Sequence, residues 1–161
     1  MHTKNQITLI KLSFLLTIVG SVALRLDIFR EGFIEGWKGT GDVKAPSLLE
    51  AFVAFTGVYF GLKILINLFR FINSVQKENI FDEKNVTRLT SMGWSSITLS
   101  FLLYIFYFLK TIVSFSMDSV YKAIELVDFD FWLIIFGITL LTIGFVFKKG
   151  IELQQEQDLT I

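Results

Sequence analysis

Four long apolar runs constrain what this chain can fold into more than any other feature of its sequence. They cover approximately residues 7–24, 48–72, 92–115 and 129–147. A hydrocarbon core of about 30 Å is crossed by about 20 predominantly apolar helical residues, so each run is long enough to span a bilayer. The runs are continuously apolar and longer than the strands of membrane barrels, which argues against strands. The sequence therefore predicts an all-α integral membrane protein, a four-helix bundle that forms a single domain over residues 1–161.

Composition agrees with a bilayer environment and argues against several classes of function. Of the 161 residues, 53% are hydrophobic and 18 are Phe, which is more apolar surface than a soluble domain of this length can hide. The chain has no Cys and its one His is His2, so thiol chemistry, His-based catalysis and metal sites are not expected. A formal net charge of +0 attracts no nucleic acid, and no Walker, Rossmann or H-E-x-x-H motif is present. We therefore predict a protein with no catalytic residues and no cofactor, which is not an enzyme and does not bind nucleic acid directly.

The positive-inside rule sets the predicted orientation in the membrane. An even number of spans places both termini on one side, and the two lysines Lys148 and Lys149 directly follow the last apolar run. Both termini, the inner loop 73–91 and the tail 148–161 are therefore predicted to be cytoplasmic. The mixed-charge segment 25–47 becomes an outer loop. The favoured interpretation is a solvated connector, and the alternative is a loop that meets an external ligand. The predicted location is the bacterial inner (plasma) membrane, crossed several times.

The first apolar run also resembles a secretory signal peptide. Lys4 precedes it, and Ser21-Val-Ala23 has the small-x-small pattern of a cleavage site. The run is long for a signal peptide, however, and Lys11 lies inside it. We therefore expect an uncleaved span.

The inner loop and the tail contain local signals for helix ends. Asp82 is placed to cap a helix, and the spacing of Phe81 and Val86 around it fits a hydrophobic staple. The third membrane helix is therefore predicted to begin near Glu83, before its apolar run. Gly150 fits the position just after a helix, so the last helix is predicted to end there. The residues beyond it are compatible with a short amphipathic turn, an added strand or a disordered tail.

Lys63 is the residue of the second span that costs the most free energy to place in the bilayer. A charged side chain at mid-bilayer costs on the order of 3 kcal/mol, and no carboxylate lies at the same depth in another span. Lys63, Asn67 and Arg70 follow i, i+4, i+7 spacing and so form one helical stripe towards the cytoplasm. One hypothesis is a polar vestibule that holds an anionic ligand or a lipid headgroup. The alternative is that hydroxyl groups, a carbonyl and water satisfy Lys63.

Glycines predict where helices pack closely. Gly57-x-x-x-Gly61 in the second span and the small face made by Gly137 and Gly144 in the fourth would allow another helix to approach. These contacts are expected within the chain, with a homo-oligomer as the alternative.

The tail and the inner loop resemble a known family. The ending Glu152-Leu-Gln-Gln-Glu-Gln-Asp-Leu-Thr-Ile161, together with Asn85-Val-x-Arg88-Leu and Gly93-Trp94, is similar to the YoaS-like four-span bacterial membrane proteins of unknown function. Ile80 replaces a proline that is common in that family. Such proteins are often encoded beside a small helix-turn-helix regulator, so the resemblance implies a cytosolic transcriptional regulator as partner. The residues it implies for docking are Asn85, Arg88, Glu152, Glu156, Asp158 and Leu159.

The sequence supports two hypotheses for function. The favoured one is a non-catalytic membrane protein that docks or restrains a cytosolic helix-turn-helix regulator through its inner loop and C-terminal tail. The alternative is a small transport protein, or a protein that binds an anionic ligand or lipid, with the vestibule around Lys63 as its site. Besides that regulator, the expected partners are the lipid bilayer and a second copy of the chain.

Overall fold

The computed structural model describes residues 2–38, 47–77, 79–111, 120–121, 124 and 130–158. Within these ranges the chain forms helices and no strand. The helices are α1 (His2–Ala23), α2 (Leu26–Lys38), α3 (Leu48–Gln76), α4 (Glu83–Thr111) and α5 (Phe131–Asp158). Four of them, α1, α3, α4 and α5, are long and apolar enough to cross a membrane. The predictions of an all-α class and of four helices of membrane-spanning length are confirmed.

Residues 1–48 form one compact unit, which contains α1 and α2. The turn between these helices is closed by the Leu24 amide, which donates to the Gly20 carbonyl at 2.9 Å. Helix α2 lies inside the segment 25–47, where the sequence analysis predicts a connector. The carboxylate of Asp27 lies in its first turn and stabilises the helix there, because it is close to the positive end of the helix dipole. Residues 26–38 of this segment are therefore helical, and this helix is not among the sequence-based predictions.

Residues 49–161 form the second compact unit, in which α4 and α5 pack against each other in antiparallel orientation. A Cβ atom added to Gly93 would lie 2.8 Å from the Gly137 carbonyl oxygen, and one added to Gly137 would lie 2.8 Å from that of Gly93. No side chain fits between the two backbones at this crossing, so both positions require glycine. The fourth-span face predicted from Gly137 and Gly144 is thus used within the chain, since Gly144 packs near Leu89 of α4.

Helix α3 lies beside α4 in the same unit, but its contact is looser. A Cβ atom added to Gly57 would be 4.0 Å from the Leu99 side chain, and one added to Gly61 would meet nothing within 4 Å. Near its first turn, Glu50 forms an ion pair with Lys110 at 2.7 Å. The close helix contact predicted at Gly57-x-x-x-Gly61 is absent among the described residues.

The distribution of polar and apolar side chains is inverted relative to a soluble protein. Large apolar side chains such as Phe55 (78% exposed) and Trp132 (80% exposed) lie on the surface. The buried side chains of the second unit instead include four polar ones: Asn85, Ser95, Ser96 and Ser100. Exposed apolar area is costly in water, at roughly 25 cal/mol per Å², but not in hydrocarbon. This pattern, together with the helix lengths, supports a multi-pass membrane protein.

One predicted helix end is confirmed and one is wrong. Helix α4 begins at Glu83, and the Asp82 carboxylate accepts a hydrogen bond of 3.0 Å from the Lys84 amide, as a capping side chain should. Helix α5, by contrast, does not end at Gly150 but continues to Asp158. The Glu, Gln and Leu residues that follow Gly150 are good helix formers, and they sustain the helix past the glycine.

Candidate functional site

The loop between α3 and α4 is organised by Asn85, whose side chain is completely buried. Its amide nitrogen donates to the carbonyl oxygens of Asn79 at 2.7 Å and Ile80 at 3.0 Å, and to the Ser74 hydroxyl at 3.0 Å. These bonds tie the loop to the first turn of α4 and to the last turn of α3. Asn85 therefore shapes the loop from inside, and a partner on the surface would not contact its side chain.

Arg88 completes this network. Its Nη1 donates to the Asn85 side-chain oxygen at 2.8 Å and, at the longer distance of 3.4 Å, to the Arg70 carbonyl oxygen. The guanidinium group is thus held between α3 and α4 rather than extended into solvent.

Phe81 connects the loop to α5. Its ring lies 5.4 Å from the ring of Phe147, and its edge would be 2.8 Å from a Cβ atom on Gly150. Gly150 therefore provides room for an aromatic ring from the loop. The contact places the inner loop and the end of α5 at the same end of the second unit, as the docking hypothesis requires.

A groove of about 660 Å³ runs between the first turns of α4 and the last turns of α5. Val86 and Trp94 from α4 and Ile151 from α5 contribute apolar surface, and Glu83 and Glu152 contribute carboxylates. We call it the α4–α5 groove. Val86 and Trp94 are singled out in the sequence for other reasons, but their convergence with Ile151 depends on how the two helices pack and was not predicted.

The acidic residues predicted in the tail differ in their relation to this groove. Glu152 lines it and forms an ion pair with Lys149 at 2.6 Å. Glu156 is exposed one turn further along α5. Asp158 is the last helical residue, and Leu159 lies outside the described residues. The structure thus brings Glu152 to the α4–α5 groove and leaves the role of the other three as a prediction.

A second groove, of about 380 Å³, lies between α3 and α4, and polar and charged residues line it. We call it the α3–α4 groove. It is lined by Asn67, Arg70, Glu83, Lys84, Thr87 and Arg88. Two of the three predicted vestibule residues therefore meet Arg88, which the sequence analysis assigned to the docking face.

Lys63, the third vestibule residue, does not line the α3–α4 groove. It is half-buried, and it has no hydrogen bond or ion pair with any residue that the structure describes. The polar site at this end of α3 is therefore centred one to two helical turns beyond Lys63. Over the same described ranges, no cluster of His, Cys, Asp and Glu side chains is arranged to hold a metal ion.

Comparison with known proteins identifies a family but no function. The model of a family described as "Protein of unknown function (DUF2975)" matches residues 39–161. No curated protein and no solved structure matches the chain. Because the match covers more than half of the sequence, the chain belongs to this family. The YoaS-like grouping and the meaning of the tail motif stay predictions.

Proposed function

We propose that this member of the DUF2975 family is a non-catalytic membrane protein that docks and restrains a cytosolic regulator in the α4–α5 groove. The observation that supports the proposal is the composition of the groove. It joins the start of α4, which follows the inner loop, to the end of α5, which forms the tail. These are the two segments that the family resemblance implies for docking, and they form one concave surface.

The groove is within reach of a soluble partner. Helix α4 begins nine residues before Met92, where its apolar run starts, and α5 continues ten residues beyond Lys148. At 1.5 Å per residue, these extensions are about 13 to 15 Å long. The interfacial layer of a bilayer adds only about 5 to 7 Å on each side of the hydrocarbon core. The outer turns of both helices, which include Val86 and Gln155, therefore extend past the lipid headgroups, whereas Ile151 and Trp94 lie at the level of the headgroups or just inside it.

The chemistry of the groove fits a basic amphipathic helix. Val86, Trp94 and Ile151 offer apolar contacts of the kind that anchor a helix through side chains spaced i, i+3 and i+4. Its two carboxylates, Glu83 and Glu152, outnumber its one cation, Lys148, and complement Lys or Arg on the flanks of such a helix. Glu152 would then exchange its exposed pairing with Lys149 for a cation of the partner. Helix-turn-helix regulators present basic surfaces because they bind the phosphates of DNA. A regulator bound through that surface would be kept from DNA, which is restraint by occlusion.

A pair of substitutions on α5 tests this proposal. Ile151→Lys places a charge inside the groove, whereas Leu153→Lys makes the same change at a side chain that is 60% exposed and does not line the groove. Binding of a purified helix-turn-helix regulator of the kind that the family resemblance implies is measured with the full-length protein in lipid nanodiscs. We expect I151K to weaken binding at least about tenfold, the effect of losing one buried apolar anchor, and L153K to leave it unchanged. Equal binding by both variants and the parent protein would contradict the proposal.

The orientation can be tested independently of the partner. The chain has no Cys, so Gln157→Cys introduces a single thiol at the end of α5. We expect a membrane-impermeant maleimide to label it in inverted membrane vesicles and not in intact cells. Labelling in intact cells would place the groove outside and exclude a cytosolic partner.

A further inference from the structure

We propose that the α3–α4 groove binds a phosphate group, presented by an anionic lipid headgroup or as free phosphate. The groove brings together three cationic side chains, Arg70, Lys84 and Arg88, with Glu83 as the one carboxylate in its lining. This groove shares Glu83 and Thr87 with the α4–α5 groove, but its three cations line only the α3–α4 side, and its occupancy does not require a protein partner.

The three cations are not neutralised within the described part of the chain. None of them forms an ion pair there, whereas Lys110 and Lys149, at other positions on α4 and α5, each pair with a glutamate. Three like charges around one groove repel each other unless an anion lies between them. A phosphate group supplies that charge together with several hydrogen-bond acceptors.

Arg88 is held in position for such an anion. Its Nη1 is occupied by the Asn85 side chain and the Arg70 carbonyl oxygen, at 2.8 and 3.4 Å. Its Nη2 and Nε have no hydrogen-bond partner among the described residues. These two atoms form the planar fork with which arginine binds phosphate through two parallel hydrogen bonds. Because Asn85 is fully buried and fixed by the loop, part of the ordering cost is met before the anion binds.

The depth of the groove fits a lipid headgroup. Arg88 precedes Met92, the start of the apolar run, by four residues. At 1.5 Å per residue this is about 6 Å along the helix axis. The interfacial layer that contains lipid phosphates is about 5 to 7 Å thick on each side of the bilayer. Both leaflets present headgroups, so the groove lies at headgroup depth in either orientation of the protein.

The test uses full-length protein in a neutral detergent, titrated with phosphatidylglycerol while bound lipids are counted by native mass spectrometry. The variant Arg70→Gln/Lys84→Gln removes two cations from the groove. The control, Lys77→Gln, removes an exposed cation at the same end of the unit, outside the groove. Each removed cation should weaken lipid binding about fivefold, so the double variant should lose about 25-fold and the control should match the parent protein. Circular dichroism establishes that the variants are folded.

A second arm adds millimolar inorganic phosphate. If phosphate displaces the lipid, free phosphate is a ligand of the groove as well. If the lipid remains bound, the headgroup is the preferred source of the phosphate group. Both results support the site. Equal lipid affinity in the double variant and the parent protein would overturn the proposal. Should the double variant fail to fold, Lys84→Gln alone decides, because Lys84 is exposed and its side chain has no hydrogen bond or ion pair within the described residues. A loss of about fivefold then supports the site, and no loss overturns it.

Discussion

Two pairs of glycines in the second unit do opposite things. Gly93 and Gly137 come from different helices and bring the backbones of α4 and α5 into direct contact, whereas Gly57 and Gly61 share one face of α3 and meet almost nothing. The second pair has the spacing of a known helix-packing motif and the first pair does not. In this unit, direct contact between two helix backbones occurs where both helices have a glycine at the same level of the crossing.

Helices α3 and α4 also differ in the side chains that they bury. Helix α4 buries seven residues, among them Ser95, Ser96 and Ser100, whereas the buried residues of α3 are Val53 and Ile72. Serine hydroxyls stabilise helix contacts in lipid modestly, and large apolar groups are as well solvated by lipid as by protein. We infer that α4 and α5 form the stable pair and that α3 depends more on the surrounding lipid.

The largest loss of stability is expected for a substitution at the Gly93–Gly137 crossing, where the backbones of α4 and α5 touch. Gly137→Val would force a branched side chain against the Gly93 carbonyl oxygen and should cost about 3 kcal/mol, the upper end for overpacking. Gly61→Val makes the same change on α3, where nothing lies within 4 Å, and should change stability by no more than about 0.5 kcal/mol. Unfolding by sodium dodecyl sulfate in mixed micelles, followed by circular dichroism, measures both. Similar losses in the two variants would remove the distinction between the glycine pairs.

A smaller loss of stability is expected when Asn85, whose amide side chain is buried on α4, is replaced. Asn85→Leu removes the donor for the Asn79 and Ile80 carbonyl groups and the acceptor for Arg88, at a cost of about 2 kcal/mol. Asn67→Leu on α3 is the matched control, because Asn67 has no side-chain hydrogen bond among the described residues and should tolerate the change. Hydrogen exchange should show faster exchange of the loop amides in N85L only. Unchanged exchange in N85L would mean that the loop is held by other contacts, such as Phe81 on Phe147.

Two serines on α4 sharpen the comparison within one helix. The Ser100 hydroxyl donates to the Asp130 carbonyl oxygen at 3.0 Å, while the buried Ser96 hydroxyl has no hydrogen-bond partner among the described residues. Ser100→Ala should therefore destabilise the protein by about 1 kcal/mol, and Ser96→Ala should be neutral or stabilise it by a similar amount. Thermal unfolding in detergent gives the sign of each change. A clear loss for S96A would show that its hydroxyl is bonded in the membrane, for example to water.

Features coded by neighbouring residues were predictable, and those set by helix packing were not. The four apolar runs and the Asp82 cap are local, and both are confirmed. Helix α2 was missed because its glycines and charges are also typical of loops. The helix end at Gly150 was wrong because the glycine provides space for Phe81, which is distant in sequence.

The candidate site could be predicted only in part, because it too depends on helix packing. The i, i+4, i+7 stripe grouped Lys63 with Asn67 and Arg70, but the register of α3 against α4 decides which of them meet Arg88. That register comes from side chains on two helices and cannot be read from one of them. The convergence of Val86, Trp94 and Ile151 in the α4–α5 groove was unpredictable for the same reason.

The smallest effect is expected at the ion pair that joins the first turn of α3 to the last turn of α4. Lys110 and Glu50 are 2.7 Å apart, and both lie near the ends of their apolar runs. Their charged groups can therefore reach the interfacial layer, where water and salt screen the attraction. Lys110→Gln should leave the unfolding midpoint unchanged in nanodiscs, and added salt should have as little effect on the parent protein. Glu50→Gln provides the reciprocal control, because it removes the same attraction from the other side. A clear loss of stability in either variant would mean that the ion pair stabilises the contact between α3 and α4. It would contradict the inference that lipid and apolar contacts keep α3 in place.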